Sequence, residues 1–465
     1  MMTSQKPVIG LLGIMQELYD DMLPGITQRQ EDYARQVAAR LADRVDIRFP
    51  GAARNRDDIE RYMQGFEAEG CEGIIVVNLT YGPALRIVNA FRNVRLPVML
   101  ANIQPEPAVT AGWDMSNLTY NQGVHGAQDT ANSLMRLGVH FKVVTDNWRA
   151  DSFAKSVGDF ACAARAVKRM RKARIAIIGQ MPGMGDILTD PHAFMRRLGP
   201  QVDHVNIGLI AQAMEGVKAA DIDAVIAANR ANFEIDEAIT EESHRYAARL
   251  QVAIKTVVDA GGYDAWSLYF DQIGLDGRFR QTHMMAASNL MAEGYGYSAE
   301  GDSSCASLMV AGYGLAPDPH FTEMYAMDFP LDAVLQSHMG EGNWKIARKD
   351  RKPRLIDRPL GIGGLDNPPT VLFQAQPGPA TLVSLVPVVG EHYRLVATQG
   401  TILETEELPN VEMPYFMMCP QNGVRECLNG WLRNGGTHHQ VLHLGDTRPR
   451  WRTFCELLGI EYAEV

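Results

Sequence analysis

The stretch PVIGLLGI, residues 7–14, is a short, continuous apolar run with no alternating polar residues. Such a run suits a strand buried on both faces, which occurs where helices cover both sides of a parallel sheet. The sequence around it supports that reading. QRQEDYARQVAARLADR (28–44) is amphipathic at helical spacing, VDIRFPG (45–51) follows as a strand, and RDDIERYMQGFEAEG (56–70) leads into GIIVVNL (73–79). ALRIVNAFRNV (84–94) and LPVMLANI (96–103) repeat the cycle, and helix-rich sequence from about Gln122 to Met170 closes the unit. A second α/β unit begins with RKARIAIIGQM (171–181), which opens onto the turn MPGMGD. Its long helix, EESHRYAARLQVAIKTVVDAGG (241–262), stops at Gly261 and Gly262. From about Asp328, Pro, Gly, Val and Thr rise, and TVLFQAQ, ATLVSLVPVV, YRLVATQGTIL and PYFMMCP read as antiparallel strands. The expected fold class is α/β: two doubly wound parallel-sheet domains (1–170 and 171–327), then a smaller, mainly β domain (328–465).

Composition excludes several classes of function. At 465 residues, with 46% hydrophobic and 21% charged residues, the chain is an ordinary globular protein of two or three domains. A net charge of -11 disfavours nucleic acid or an anionic membrane as a main partner. The six cysteines are scattered without a CxxC pair, which fits reduced thiols and a cytoplasmic location. No window reaches the length of a membrane span. No GxGxxG or P-loop follows a strand, so neither NAD nor a nucleotide phosphate is expected, and nothing calls for PLP.

In MAEGYGYSAEGDSS (291–304), Glu293 and Glu300 stand seven residues apart, but Gly294 and Gly296 argue against a helix that would align them. Ligands bind at the carboxyl ends of strands in doubly wound sheets, so acids and histidines after strands take priority. Four stand out: Glu300, Glu323 in HFTEMYAMDF, His338 in VLQSHMGEG and His439 in NGGTHHQVLH. Two carboxylates and two imidazoles suit Mn²⁺, Fe²⁺, Co²⁺ or Mg²⁺ better than a structural zinc site. Taken singly, each also fits a hydrogen-bonded core residue or the end of a strand.

These segments carry a family resemblance. AEGYGYSAEGD, FTEMYAMDF with its following SHM, GGTHHQV, NLTYNQGVHGAQD, MQELYD and MPGMGDILTD occur in order along nearly the whole chain. Together they resemble the motifs of the L-arabinose isomerase family, within the arabinose/fucose isomerase-like group. The resemblance implies that Glu300, Glu323, His338 and His439 bind a divalent metal, Mn²⁺ foremost, and that Glu300 and Glu323 are also the acid/base pair. Glu293 is then a loop-ordering acid, while His438 and Asp302 support the ligands from behind. Gln16, Tyr19, Gln122, His125, Met184 and Phe270 match substrate-contact positions, with His125 reaching a neighbouring subunit's site. For Met184 and Phe270 core packing explains burial equally well, and Gln122 and His125 also suit the start of a helix. The implied reaction interconverts an aldose and a ketose through an enediol, in a trimer or hexamer with shared sites.

The sequence also departs from the family's pattern. The histidine of its H-T-F-S-P-A stretch is absent from Leu79–Ala84, Ser303-Ser304 replaces the Trp-Lys after EGD, and T-E-G-D is reduced to Leu188–Pro191. These changes fall on substrate-contact and loop positions. The expectation is therefore retained metal chemistry on a different sugar: another pentose, a hexose, a deoxysugar or a modified sugar. Epimerisation or a sugar-acid substrate at the same metal site is the alternative enzyme reading. A non-catalytic sugar-binding protein would be expected to have lost one of the four positions.

Overall fold

The computed structural model describes residues 6–361 and 364–465. By internal contacts the chain forms two units: residues up to Lys168 with Pro449–Gly459, and Arg169–Arg448 with Ile460–Val465.

The first unit is built on β1 (Val8–Ile14), β2 (Asp46–Arg48), β3 (Ala52–Ala53), β4 (Gly73–Asn78), β5 (Val98–Asn102) and β6 (Phe141–Thr145). All its pairings are parallel, in the order β2-β1-β4-β5-β6, with β3 beside the end of β1. The apolar runs are central strands, as expected: β4 is buried at every position. Helix Arg56–Ala68 is capped by the Asn55 side chain, which accepts from the Asp58 N–H, and it buries Ile59, Met63 and Phe66. The Phe66 ring packs so tightly on β1 that a Cβ at Gly10 would meet it at 2.6 Å.

The stretch from Gln122 to Met170 is helix-rich, as expected, but it also holds a strand that the sequence reading missed: FKVVT forms β6 between helices Gly123–Arg136 and Asp151–Lys172. As an edge strand it is only partly buried and includes Lys142, so no continuous apolar run marks it. Helix Arg448–Leu458 belongs mostly to this unit. It buries Trp451 and Phe454 and is tied by Arg450–Asp159 (3.0 Å) and Lys142–Glu456 (2.9 Å).

The second unit holds a four-stranded parallel sheet of β7 (Arg174–Ile178), β8 (Gln201–His204), β10 (Ala265–Leu268) and β11 (Gly296–Ala299), in the order β11-β10-β7-β8. β9 (Glu234–Ile235) pairs instead with β14 (Arg354–Asp357), which pairs with β15 (Pro369–Leu372). The largest sheet contains β12 (His320–Asp328), β13 (Ala333–Ser337), β16 (Gly378–Val388), β17 (His392–Ile402), β18 (Tyr415–Pro420), β19 (Gln440–Leu444) and β20 (Glu461–Glu464). Its order is β16-β19-β12-β13-β18-β17-β20, and β16 also pairs with β17, which closes the antiparallel strands into a ring. The composition change at Asp328 coincides with the end of β12, the first strand of this ring. Helix Ser303–Leu315 is buried nearly throughout and packs on β10, β11, β16 and β19, joining parallel sheet and ring. Among the described residues no helix is long and apolar enough to cross a membrane.

Candidate metal centre

The five carboxylate and histidine positions come from separate parts of the second unit. Glu300 follows β11 at the carboxyl end of the parallel sheet, Glu323 lies within β12, His338 follows β13, and His438 and His439 precede β19. Because β12 is bonded to both β13 and β19, the ring alone gathers Glu323 and the three histidines.

Backbone strain places Glu300. Its φ is +64°, a conformation uncommon for a side-chain-bearing residue, and Gly301 follows at +90°. Gly301 is required there, since a Cβ would meet the Cα of Gln180 and the carbonyl of Gly179 at 2.7 Å. The Gly301 N–H donates to Ser267 Oγ (2.8 Å), and the Glu300 carbonyl accepts from the Met181 N–H (2.9 Å). Upstream, Gly294 ends helix Met284–Glu293 in the left-handed conformation. Glu293, the last residue of that helix, pairs with Lys255 (3.1 Å). In β12 a register shift between Met324 and Ala326 bends the strand just beyond Glu323.

His439 Nε2 lies 3.4 Å from both Glu300 Oε2 and Glu323 Oε1. His338 Nε2 is 3.7 Å from Glu323 Oε1, and His438 Nε2 is 3.7 Å from the same oxygen and 3.9 Å from Glu300 Oε2. Within this set, Glu300, His438 and His439 form one group able to share an ion, and Glu323, His338 and His439 form another. The sequence reading places His438 behind the ligands, whereas here its Nε2 faces both glutamates.

Each histidine is held through its other nitrogen by a carboxylate. Nδ1 of His439 meets Asp302 Oδ2 (2.9 Å), Nδ1 of His338 meets Glu341 Oε2 (2.6 Å), and Nδ1 of His438 meets Asp186 Oδ2 (2.7 Å). A carboxylate on Nδ1 favours the tautomer with the proton on that nitrogen and leaves the Nε2 lone pair on the glutamates' side, free to bind a cation. Asp302, read from the sequence as a residue behind the ligands, is thus in contact with His439. Glu341 and Asp186 escaped the sequence reading, although Glu341 stands three residues beyond His338 in the same quoted segment. Glu341 is 2% exposed, and its Oε1 accepts from the Tyr297 hydroxyl (2.7 Å), which in turn meets His283 Nε2 (2.9 Å).

The charges form one coupled cluster. Burial would raise the Glu300 carboxyl, but His438 and His439 outweigh it and hold the group down at about 2. Burial opposes charge on His439 as well, yet Asp302, Glu300 and Glu323 raise it well above its ordinary value. His438 rises to about 9 against its own burial, through Asp186 and Glu300. So much buried carboxylate demands positive charge, and protons and a metal ion would compete for the same Nε2 atoms.

The residues fit a divalent cation. Glu300 Oε2, His438 Nε2 and His439 Nε2 are buried without a hydrogen-bond partner. Leaving such atoms unmatched is costly. The 3.4–3.9 Å separations are too long for good hydrogen bonds. They approach the ~3 Å spacing of adjacent donors around an ion with bonds of ~2.1 Å.

Among the sugar-contact positions, Met184 lies half-buried in the 181–186 loop that also supplies Asp186, and Phe270 opens helix Phe270–Asp276 with its ring 4.9 Å from Tyr269. Gln16, Tyr19, Gln122 and His125 belong to the first unit. There Gln16 follows β1 and Tyr19 lies in helix Leu18–Met22. Gln122 Nε2 is buried without a partner, and the exposed His125 lies 5.3 Å from the Tyr81 ring, tilted 48° to it.

Comparison with known proteins gives these features a family. The L-arabinose isomerase N-terminal domain model matches residues 4–172, the central domain model 190–316 and the C-terminal domain model 318–461. An L-arabinose isomerase of Clostridium beijerinckii is 28% identical over 84% of this chain and 81% of its own length. One of Nocardioides sp. is 29% identical over 88% and 83%, and L-arabinose isomerase 1 of Bacillus licheniformis is 28% identical over 93% and 89%. With all three domain models matched in order, the chain belongs to the L-arabinose isomerase family and is a sugar isomerase.

Proposed function

We propose that this chain is a divalent-metal-dependent aldose–ketose isomerase, with Glu300, Glu323, His338 and His439 as metal ligands and His438 at the same centre. The carrying observation is the convergence of these side chains around Glu300 Oε2, His438 Nε2 and His439 Nε2, three buried atoms without a hydrogen-bond partner. Mn²⁺ suits this mixed oxygen and nitrogen set, with Co²⁺, Fe²⁺ and Mg²⁺ as alternatives. When bound, the ion supplies Lewis-acid polarisation of the sugar carbonyl.

The residues supply the proton movements. Of Glu300 and Glu323, one takes the proton from C2 of the aldose and the other delivers a proton to C1, while the hydroxyl proton moves from O2 to O1. Hydrogen is thereby shifted between the two carbons without an external redox partner. Two carboxylates around one centre with differing surroundings can hold different proton affinities, which separates acid from base. Asp302, Glu341 and Asp186 keep the imidazoles aimed inward throughout. Gln16, Tyr19, Gln122, Met184 and Phe270 are proposed to contact the sugar, with His125 supplied to a neighbouring copy in a cytoplasmic homo-oligomer.

The test is ketose formation from pentoses, hexoses and deoxysugars by EDTA-treated protein, with and without Mn²⁺, followed by NMR in D₂O. Metal-restored turnover with solvent deuterium entering at C1 supports the reading. Full turnover by Glu300→Gln would rule out the proposed acid/base role of that residue.

A further inference from the structure

Arg358 immediately follows β14 and is only 7% exposed. Its Nη1 donates to the Met339 carbonyl, and it packs so closely on Gly340 that a Cβ there would meet Nη1 at 2.7 Å. Met339 and Gly340 are the two residues between His338 and Glu341, so the guanidinium rests on the short loop that carries both.

Among the described residues no carboxylate lies within ion-pair distance of Arg358, and its Nε and Nη2 make no hydrogen bond. Glu341 does not satisfy it, because both carboxylate oxygens are already engaged by His338 and Tyr297. Burial disfavours the charge on Arg358, with Glu341 and Glu412 opposing, yet a guanidinium does not give up its proton. Buried arginines are normally paired, so a fork with two donor positions unused within the protein, beside the candidate metal centre, is free to take an anionic partner.

We propose that Arg358 anchors an anionic group of the substrate, so that the sugar turned over carries a carboxylate or a phosphate. A planar guanidinium fork matches either group, which a neutral hydroxyl would not. This inference rests on the isomerase reading of the metal centre.

The test is titration calorimetry on the Mn²⁺-loaded protein with three probes: a six-carbon aldonate, a hexitol phosphate and the neutral hexitol. We expect at least one anionic probe to bind tenfold or more tightly than the hexitol, with that advantage shrinking as salt rises. Which anion wins names the group. In Arg358→Met the advantage disappears while Mn²⁺ and hexitol affinities hold, and Arg358→Lys, with charge but no fork, falls between. Equal binding of all three probes by the unaltered protein overturns the proposal, and needs no variant to fold. Arg358→Met weakening Mn²⁺ and every probe alike also overturns it, as that marks a prop for the 338–341 loop. An anionic preference in a protein that isomerises no sugar of either class would instead overturn the isomerase reading and leave Arg358 as an anion anchor.

Discussion

Asp302 serves two partners at once, across 137 positions of sequence in one case: its Oδ2 meets His439 Nδ1 at 2.9 Å, while its Oδ1 accepts from the Cys305 N–H at 3.0 Å. The second bond caps helix Ser303–Leu315, the element joining parallel sheet and ring. Helix start and histidine orientation are therefore fixed by the same carboxylate. Two substitutions separate these roles. Asp302→Asn can still cap the helix but loses the charge on His439, so Mn²⁺ affinity should fall about 10–100-fold with a small change in melting temperature. Asp302→Ala should lose both, adding about 1 kcal/mol of destabilisation from the missing cap. Metal titration and thermal unfolding of the pair check this, and equal Mn²⁺ affinity in Asp302→Asn and the unaltered protein would refute it.

Glu341 stands to His338 as Asp302 stands to His439. Its carboxylate is held down at about 2 because His338 outweighs a burial that by itself would raise it. Glu341→Gln keeps a hydrogen-bonding group of the same size beside His338 and Tyr297 but removes the negative charge. Mn²⁺ affinity is expected to drop by about 10–100-fold, with kcat recovering as Mn²⁺ is raised. A kcat that stays low at saturating metal would assign Glu341 a part in the reaction itself.

The ease with which these features were read from sequence follows from their physics. β1 and β4 were legible because a strand covered on both faces must be apolar throughout. β6 was not, because an edge strand can keep Lys142 and still pair. The first strand of the ring was hidden for a related reason: β12 carries Glu323 and exposed positions toward its end, so the composition changes only after it. Ring closure between β16 and β17 leaves no local signature at all. In the candidate site, Glu300, Glu323, His338 and His439 were singled out through segment motifs, and the structure brings them together. Asp186 was not, since its link to His438 spans 252 positions and depends on how the 181–186 loop folds back.

Gly301 offers a stability test next to the site. Alanine there would need a left-handed backbone at φ +90° and would press its Cβ against backbone atoms of Gly179 and Gln180 that cannot rotate away. Gly301→Ala should cost about 1–3 kcal/mol and displace Glu300, weakening Mn²⁺ binding as well. Gly277, also at positive φ but with nothing near its missing Cβ, is the control. Alanine there carries the backbone penalty without the clash, so a melting temperature for Gly301→Ala no lower than for Gly277→Ala would contradict the argument.

His320 governs part of the acid response. It is buried, and its Nδ1 accepts from the Asn343 N–H (3.0 Å), which requires that nitrogen to be unprotonated. Burial first, with the nearby His338 adding to it, lowers the imidazole from 6.5 to about 3. The unfolded chain therefore binds a proton at this residue between those values that the folded chain does not. The resulting contribution is fully present above pH 6.5 and is lost as pH falls toward about 3. Asn in place of His can still accept from Asn343 but cannot titrate. Denaturant unfolding of His320→Asn from pH 7.5 to 4.5 should show a shallower loss of stability on acidification, by up to about 1.4 kcal/mol per pH unit below 6.5. The variant starts lower at pH 7.5 if packing suffers, so the slope and not the starting value is decisive, and parallel slopes would show that His320 is not the titrating group.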